Sequence, residues 1–249
     1  MKYGICHLGV VPLRRENDHK SELISQLLYG ELCKIIDQRK DWFKVRMSWD
    51  AYEGWVSKSQ LHWIEEKAFN HFQNQPFVAS RHLIDFVQLK NKEIFPIPLG
   101  SDLRALSLLH HSIDYTPTAL IPEKEAIVKT AYQYLHSPYL WGGKTPLGID
   151  CSGLTQMVYK IHGIPLKRDA YQQAQQGTTL SFIDESEPGD LAFFDNKEGE
   201  IIHVGILLQN HFILHAHGKV RIDRIDQTGI FNAEKQTHSH KLRLIKSII

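Results

Sequence analysis

The chain has 249 residues, 42% of them hydrophobic, with 29 Lys and Arg against 28 Asp and Glu, a formal net charge of +1. That length can bury one large core or two to three smaller ones, and the near-neutral balance gives no electrostatic footprint for nucleic acid. No run of about 18 apolar residues occurs, which argues against a membrane span.

The opening MKYGICHLGVVPLRREN has a short apolar stretch that soon meets Arg14, Arg15 and Glu16. It lacks the apolar core and small-residue cleavage site of a secretory leader. If Met1 is the native start, the expected location is cytoplasmic; a chain whose leader had been removed would look similar and be exported. The three cysteines, Cys6, Cys33 and Cys151, have no CxxC spacing, and an odd number cannot all pair internally. A zinc site and a disulfide framework are both poor readings, and thiol chemistry at one position in a reducing compartment fits better.

Residues 1–64 read as short strands. HLGVVPL, LLYGELCKIIDQRKDWFKVRM and EGWVSKSQL carry β-branched and aromatic residues at strand-like spacing, punctuated by Gly30, Asp41 and Gly54. The order suggests a small β-barrel and resembles bacterial SH3-like domains, in which a GWV strand closes the barrel. In 65–121, FVASRHLIDFVQLK and EIFPIPLGSDLRALSLL are candidate strands of a second, diverged unit, and Pro96, Pro98 and Gly100 argue against a long helix. TPTALIPE, bracketed by Pro117 and Pro122, reads as a linker.

From Pro122 the period changes. EKEAIVKTAYQYLHS places Ala126, Ile127, Ala131, Tyr134 and Leu135 near helical spacing, and Pro138 ends the run. A glycine-rich WGGKTPLG loop follows, then GIDCSGL and the apolar LTQMVYKI. Together these predict a helix opening at Cys151, running through Ile161 and stopped by Gly163 and Pro165. EPGDLAFFD, IIHVGILLQ, HFILHAHG and KVRIDRI then read as antiparallel strands, so 122–249 is expected to be α+β, a Cys-bearing helix packed on a His-bearing sheet.

A thiol is a useful nucleophile only as thiolate, and free cysteine has a pKa of roughly 8.5. A helix N-terminus and a nearby imidazole would both lower it at Cys151. First-turn N–H groups would face an oxyanion formed there, and one such donor is worth about 3 kcal/mol. His203 in IIHVGILL is the candidate base. If its strand pairs with FILHAHG through the QNHF turn, His215 comes beside it to hold its ring. Two satisfied core histidines are the alternative reading. Asp150 is a candidate cap for the Cys151 helix.

Four blocks, YLWGGKTPLGIDCSGLTQMVY, PGDLAFFD, HVGILL and HAHG, together resemble the NlpC-type papain-like cell-wall peptidases over residues 125–249. The resemblance implies Cys151 as nucleophile, His203 as general base, His215 as its orienting partner and Tyr139 as a hydroxyl donor near the oxyanion. It implies an α+β papain-like catalytic domain at 122–249, an SH3-like β-barrel at 1–64, and a second SH3-like segment with linker at 65–121. The SH3-like start further resembles the γ-D-glutamyl-L-diamino acid endopeptidases of the dipeptidyl-peptidase VI type. In these, the SH3-like domain walls off one end of the cleft and helps recognise a free N-terminal L-Ala. The positions that match are Glu16 and Tyr52, with Trp141, Asp150, Ser152, Arg168 and Asp169 completing the substrate pocket.

An α-ammonium needs carboxylates, which Glu16 and Asp150 would supply, and a free D-Glu carboxylate needs the donors of Arg168 or Ser152. The bland counterparts are a surface Glu16, a Tyr52 packed on Trp55, a core Trp141, and a surface Arg168–Asp169 pair. Relatives of this type carry Ser after the Arg-Asp pair where this chain has Ala170. The expected substrate is a free L-Ala-γ-D-Glu-diamino acid peptide, processed during murein peptide recycling without metal or organic cofactor, nucleic acid or membrane. An exported wall hydrolase using the SH3-like part as a binding module is the alternative. A silent peptide-binding protein, with an unreactive thiol, is the third reading.

Overall fold

The structure, a computed structural model, describes residues 2–119 and 121–249. Met1 and Leu120 lie outside the described residues, and with them the first position weighed for a leader and one residue of the predicted linker. The chain divides into two compact units. The first comprises Met1–Leu120 with Trp141–Thr145, and the second Ile121–Leu140 with Pro146–Ile249. No helix among the described residues is long and apolar enough to cross a membrane.

In the first unit the strands are β1 (Lys2–Ile5), β2 (Val10–Arg14), β3 (Leu23–Leu28), β4 (Leu32–Arg39), β5 (Trp42–Met47), β6 (Glu53–Ser57) and β7 (His62–Ile64). They form one antiparallel sheet in the order β3-β2-β6-β5-β4-β1-β7. Alternation along each strand turns Val11, Leu13, Leu27, Ile35, Phe43, Val45 and Val56 onto a shared inner core. Tyr3 and Ile5 of β1 instead join a second core with Phe69 and Phe72 of α1 (Glu66–Gln73), Val87 of β8 (Ile84–Gln88) and Ile97 of β9 (Ile94–Pro98). Residues 84–88 and 94–98 pair as a hairpin, as the strand reading of that segment expects. Residues 105–109, read as strand, instead form the short helix α2 (Ala105–Leu109), whose Ala105 is buried in the second core.

A separate stretch of chain completes this unit. Trp141–Thr145, including the two-residue strand β10 (Lys144–Thr145), clusters with it. Lys144 Nζ donates to both carboxylate oxygens of Glu31 at 3.0 and 3.3 Å, with both side chains about 95% buried. Gly142 has φ +76°, and a Cβ there would lie 2.4 Å from the Leu23 carbonyl oxygen, so only glycine fits.

The second unit begins with α3 (Lys124–Gln133), followed by β11 (Gly148–Ile149) and α4 (Cys151–Ile161). It continues with α5 (Ala170–Gln173) and β12 (Thr178–Leu180). Six longer strands follow: β13 (Leu191–Asp195), β14 (Ile201–Leu208), β15 (Phe212–His217), β16 (Lys219–Ile225), β17 (Gly229–Asn232) and β18 (Thr237–Ser247). The order β12-β18-β13-β14-β15-β16-β17, with β17 also pairing β18, closes these six into a barrel. All residues of α4 are buried, as its apolar sequence demands of a helix enclosed on every side. The predicted Cys-bearing helix on an antiparallel sheet is therefore present, and the sheet is more nearly closed than the four predicted strands imply.

Candidate active site

The start of α4 is fixed by a polar cluster. Asp150 is its N-cap in extended backbone, and its Oδ1 accepts the Gly153 N–H at 2.6 Å. The same carboxylate takes a two-pronged bond from Arg168, Nη2 to Oδ2 at 2.6 Å and Nη1 to Oδ1 at 3.0 Å, and Nη1 also reaches Ser152 Oγ at 3.0 Å. Gln173 of α5 donates to the Ser152 carbonyl at 2.9 Å and accepts from Thr155 Oγ1 at 2.7 Å. Arg168 is thus buried against Asp150 rather than set on the surface. Asp169 caps α5, with Gln172 Oε1 accepting its backbone N–H, and Ala170 is the first residue of that helix.

Cys151 lies at this helix start, buried, with the backbone amides of Val204 and Ser152 directed at its sulfur. The thiol therefore rests against β14 at the residue that follows His203. Burial pushes its pKa up to about 12, with Asp150 adding to the rise, while the two amides and Arg168 oppose it without prevailing. The sequence led us to expect a helix terminus and an imidazole to lower this thiol; burial, with Asp150 behind it, moves it the other way.

His203 on β14 and His215 on β15 meet as the strand pairing predicts, although diagonally. The residue directly opposite His215 is Gly205. A Cβ at Gly205 would stand 2.9 Å from His215 Cβ and 2.7 Å from Ile213 Cδ1, so the missing side chain lets the imidazole lean across to His203. His203 Nε2 lies 2.9 Å from His215 Nδ1, and His215 Nε2 lies 3.0 Å from Asp223 Oδ2 on β16. Arg221 holds Asp223 by both oxygens, at 2.9 Å to Oδ1 and 2.7 Å to Oδ2.

This chain of contacts dictates proton positions. Burial alone would raise the Asp223 carboxyl, but hydrogen bonds from His215 and Arg221 outweigh it and keep the group below its ordinary value. An ionised carboxylate only accepts, so His215 must carry its proton on Nε2 and offer a lone pair at Nδ1. His203 must then donate from Nε2, which leaves its Nδ1 as a lone pair able to take a proton. Burial, then the neighbouring His215, His240 and His217, hold His203 well below its usual pKa. Both shifts favour the uncharged forms, a thiol at Cys151 and a neutral imidazole at His203.

His240 on β18 lies stacked on His203, ring centroids 4.2 Å apart and planes 21° apart. Burial, then His215 and His217, lower it to about 4. The ring nitrogens of His203, His215 and His240 lie within 4.8 Å of one another. A metal ion would have to displace the His203–His215 hydrogen bond, so the donor set favours the relay over coordination.

Tyr139 stands before the helix, its backbone bridged to Ile149 and bonded to the Gly218 carbonyl. Burial, then Cys151 and Asp150, push its hydroxyl up to about 12, so it is a proton donor within electrostatic reach of the sulfur. Glu16, Tyr52 and Trp141 belong to the first unit. Glu16 is exposed in the β2–β3 turn, and Tyr52 is half-buried against the barrel core. Trp141 is 60% exposed, not core, and donates from Nε1 to Glu22 at 2.7 Å.

Asp223, Arg221, His240 and Gln173 were not foreseen from sequence. The signal for Asp223 lay in KVRIDRI: a tight turn at Gly218 sets Arg221 opposite His215 and Asp223 opposite Ile213, which alternation then turns to the histidine face.

Comparison with known proteins bears on the family and the fold. Residues 136–239 match the NlpC/P60 family and residues 13–61 the bacterial dipeptidyl-peptidase SH3 domain. Dipeptidyl-peptidase 6 of Lysinibacillus sphaericus is 28% identical, covering 86% of this chain and 89% of that one. The γ-D-glutamyl-L-lysine dipeptidyl-peptidase of Bacillus subtilis is 28% identical over 77% of this chain and 71% of its own. A crystal structure of an NlpC/P60 family protein from Bacillus cereus superposes with a TM-score of 0.83 over 99% of both chains at 19% identity, which establishes the fold.

Proposed function

We propose that this chain, a cysteine peptidase built from an NlpC/P60 domain behind a bacterial dipeptidyl-peptidase SH3 domain, hydrolyses peptidoglycan-derived peptides. The proposed bond joins γ-D-Glu to the diamino acid in free stem peptides with an unblocked N-terminal L-Ala, and the product is L-Ala-D-Glu. The observation that carries the catalytic part is the buried Cys151 beside a strand whose His203 is tied through His215 to Asp223. The relatives named for γ-D-glutamyl-L-lysine and dipeptidyl-peptidase activity support the substrate class.

In this reaction the Cys151 proton passes to His203 Nδ1 as sulfur attacks the γ-carbonyl and the C–S bond forms. Positive charge appearing on His203 is shared along His215 to Asp223, which is already ionised and oriented. First-turn N–H groups and the Tyr139 hydroxyl are the donors for the oxyanion. Collapse breaks the C–N bond while His203 returns its proton to the leaving amine, and water then hydrolyses the thioester. Asp150, Ser152, Arg168 and Asp169 keep proposed roles on the D-Glu side. Since Arg168 is buried against Asp150, positioning the Cys151 helix is their foremost task. Glu16 and Tyr52 are the proposed determinants for the free amine, and Trp141 a proposed substrate contact. A cytoplasmic role in recycling released fragments follows from the need for an unblocked amine.

Mass spectrometry of products from L-Ala-γ-D-Glu-diamino acid, with and without N-acetylation, tests the reading. Release of L-Ala-D-Glu from the free peptide alone, abolished in Cys151→Ala, is expected. Equal turnover of the acetylated peptide would point instead to a hydrolase of intact wall.

A further inference from the structure

The contact that ties His203 to His215 leaves one freedom of the imidazole open. In a histidine ring Nε2 points mostly along the Cβ–Cγ axis, whereas Nδ1 points nearly across it. Turning the ring about that axis therefore re-aims Nδ1 far more than Nε2, and the torsion is intrinsically broad because it joins a tetrahedral to a planar carbon. The hydrogen bond at Nε2, 2.9 Å from His215 Nδ1, holds the ring at its tip without setting its plane. The proposed reaction needs the Nδ1 lone pair aimed at the Cys151 proton, so the plane requires a second constraint.

Phe194 of β13, directly opposite His203 in the ladder, does not supply it: its ring meets the imidazole at a tilt of 46°, centroids 5.7 Å apart. His240 does. β18 pairs with β13 as far as Lys241 opposite Asp195, so His240 lies just past the end of the intervening strand, where its ring reaches β14. The two imidazoles lie nearly parallel, planes 21° and centroids 4.2 Å apart. A flat neighbour that close resists rotation, because turning one ring drives its edge into the other. His240 is itself held, with Nδ1 2.9 Å from Ser239 Oγ and the His217 ring edge-on at 5.0 Å. Burial, then His215 and His217, keep it low, at about 4, against the opposing pull of Asp223. At neutral pH it is an uncharged ring, whose electronegative face suits the positive charge that His203 gains during attack.

We propose that His240 is a positioning residue for the catalytic base: stacked on His203, it fixes the plane of that imidazole and with it the aim of Nδ1 at Cys151. The assignment rests on the proposed peptidase reaction. It adds to Cys151, His203 and His215 a fourth residue, one that acts through the base rather than on the substrate.

The test is steady-state hydrolysis by the full chain of L-Ala-γ-D-Glu-X, with X as L-lysine and as meso-diaminopimelate. His240→Phe keeps a flat ring against His203 and should leave kcat within about threefold of the unmodified chain. His240→Leu and His240→Gln remove the flat face, one keeping apolar bulk and the other polarity, so a folding defect in either, seen in thermal melts, leaves the other to be read. Each should lower kcat about tenfold or more with KM within about twofold, because a misaimed base slows proton transfer without altering how the peptide binds. Unchanged kcat in the Leu and Gln variants, a loss as deep in His240→Phe as in those two, or a loss carried by KM would overturn the His240 assignment while leaving the peptidase reading intact. Failure of both Leu and Gln variants to fold would make His240 a structural residue of β18 and overturn the assignment too. Cleavage of neither peptide by the unmodified chain would overturn the peptidase reading and the assignment resting on it.

Discussion

Asp223 lies two hydrogen bonds from the nitrogen proposed to accept the Cys151 proton, yet it fixes where both imidazole protons reside. An amide in its place can donate as well as accept, so Asp223→Asn no longer compels either tautomer. A fall in kcat of about 10- to 100-fold with little change in KM is expected for a partner at this remove, read by steady-state kinetics on the free tripeptide. The thiol makes a second prediction. With burial holding Cys151 up at about 12, against roughly 8.5 for a free cysteine, alkylation by iodoacetamide should be slow at neutral pH. Its rate should still be climbing beyond pH 9; a plateau below pH 8 would reveal a resting thiolate. Slow alkylation consequently does not mark a silent binding protein, and peptide turnover is what separates the two readings. The histidines make a third. His203, His215 and His240 each titrate lower in the folded chain than when unfolded, chiefly through burial. The unfolded chain takes up these protons first as pH drops below about 6.5, so the stability conferred by neutral imidazoles is present above that value. It is lost toward the His240 value of about 4. Thermal melts between pH 7 and 5 should show the decline, and His240→Phe should lessen it.

At the level of elements, α4 was the most legible part of the sequence and the closed sheet the least. Gly-Ile-Asp before Cys151 and the glycine and proline after Ile161 mark both helix ends, and the helix has those bounds. His203 and His215 sit on strands whose alternation and short turn are local signals. His240 was not legible, because β18 returns from the far end of the chain to pair with β13, and no short-range pattern specifies that partner. Helix α2 was missed because ALSLL is too short to display a period. Arg168 shows a related limit: sequence adjacency suggested Asp169, whereas the fold gives it Asp150, 18 residues away. Arg168→Met would strand the Asp150 carboxylate in a buried site at the head of α4, and losing one partner of such a pair costs about 3–5 kcal/mol. Chemical denaturation should register that loss, and Arg168→Met with Asp150→Asn should recover part of the stability but not the activity.

For the whole molecule, the informative feature is the chain path. Residues 141–145 belong to the first unit although α3 and α4, on either side of them, belong to the second. Lys144 is the anchor of this stretch, bonded to Glu31 with both groups almost fully buried. Lys144→Met should destabilise the protein by about 3–5 kcal/mol, measured by urea titration. The double variant Lys144→Met, Glu31→Gln should restore much of that, since glutamine can still accept the Leu28 N–H now held by Glu31 at 3.0 Å.

The same excursion bears on how such a protein can be inherited or cut apart. A cassette ending near residue 120 would carry off most of the N-terminal barrel but leave behind its lysine, and the excised peptidase would expose a charged stub where the parent chain hides one. The two modules are therefore expected to travel as one genetic unit, unlike beads on a string that recombination can reshuffle at a linker.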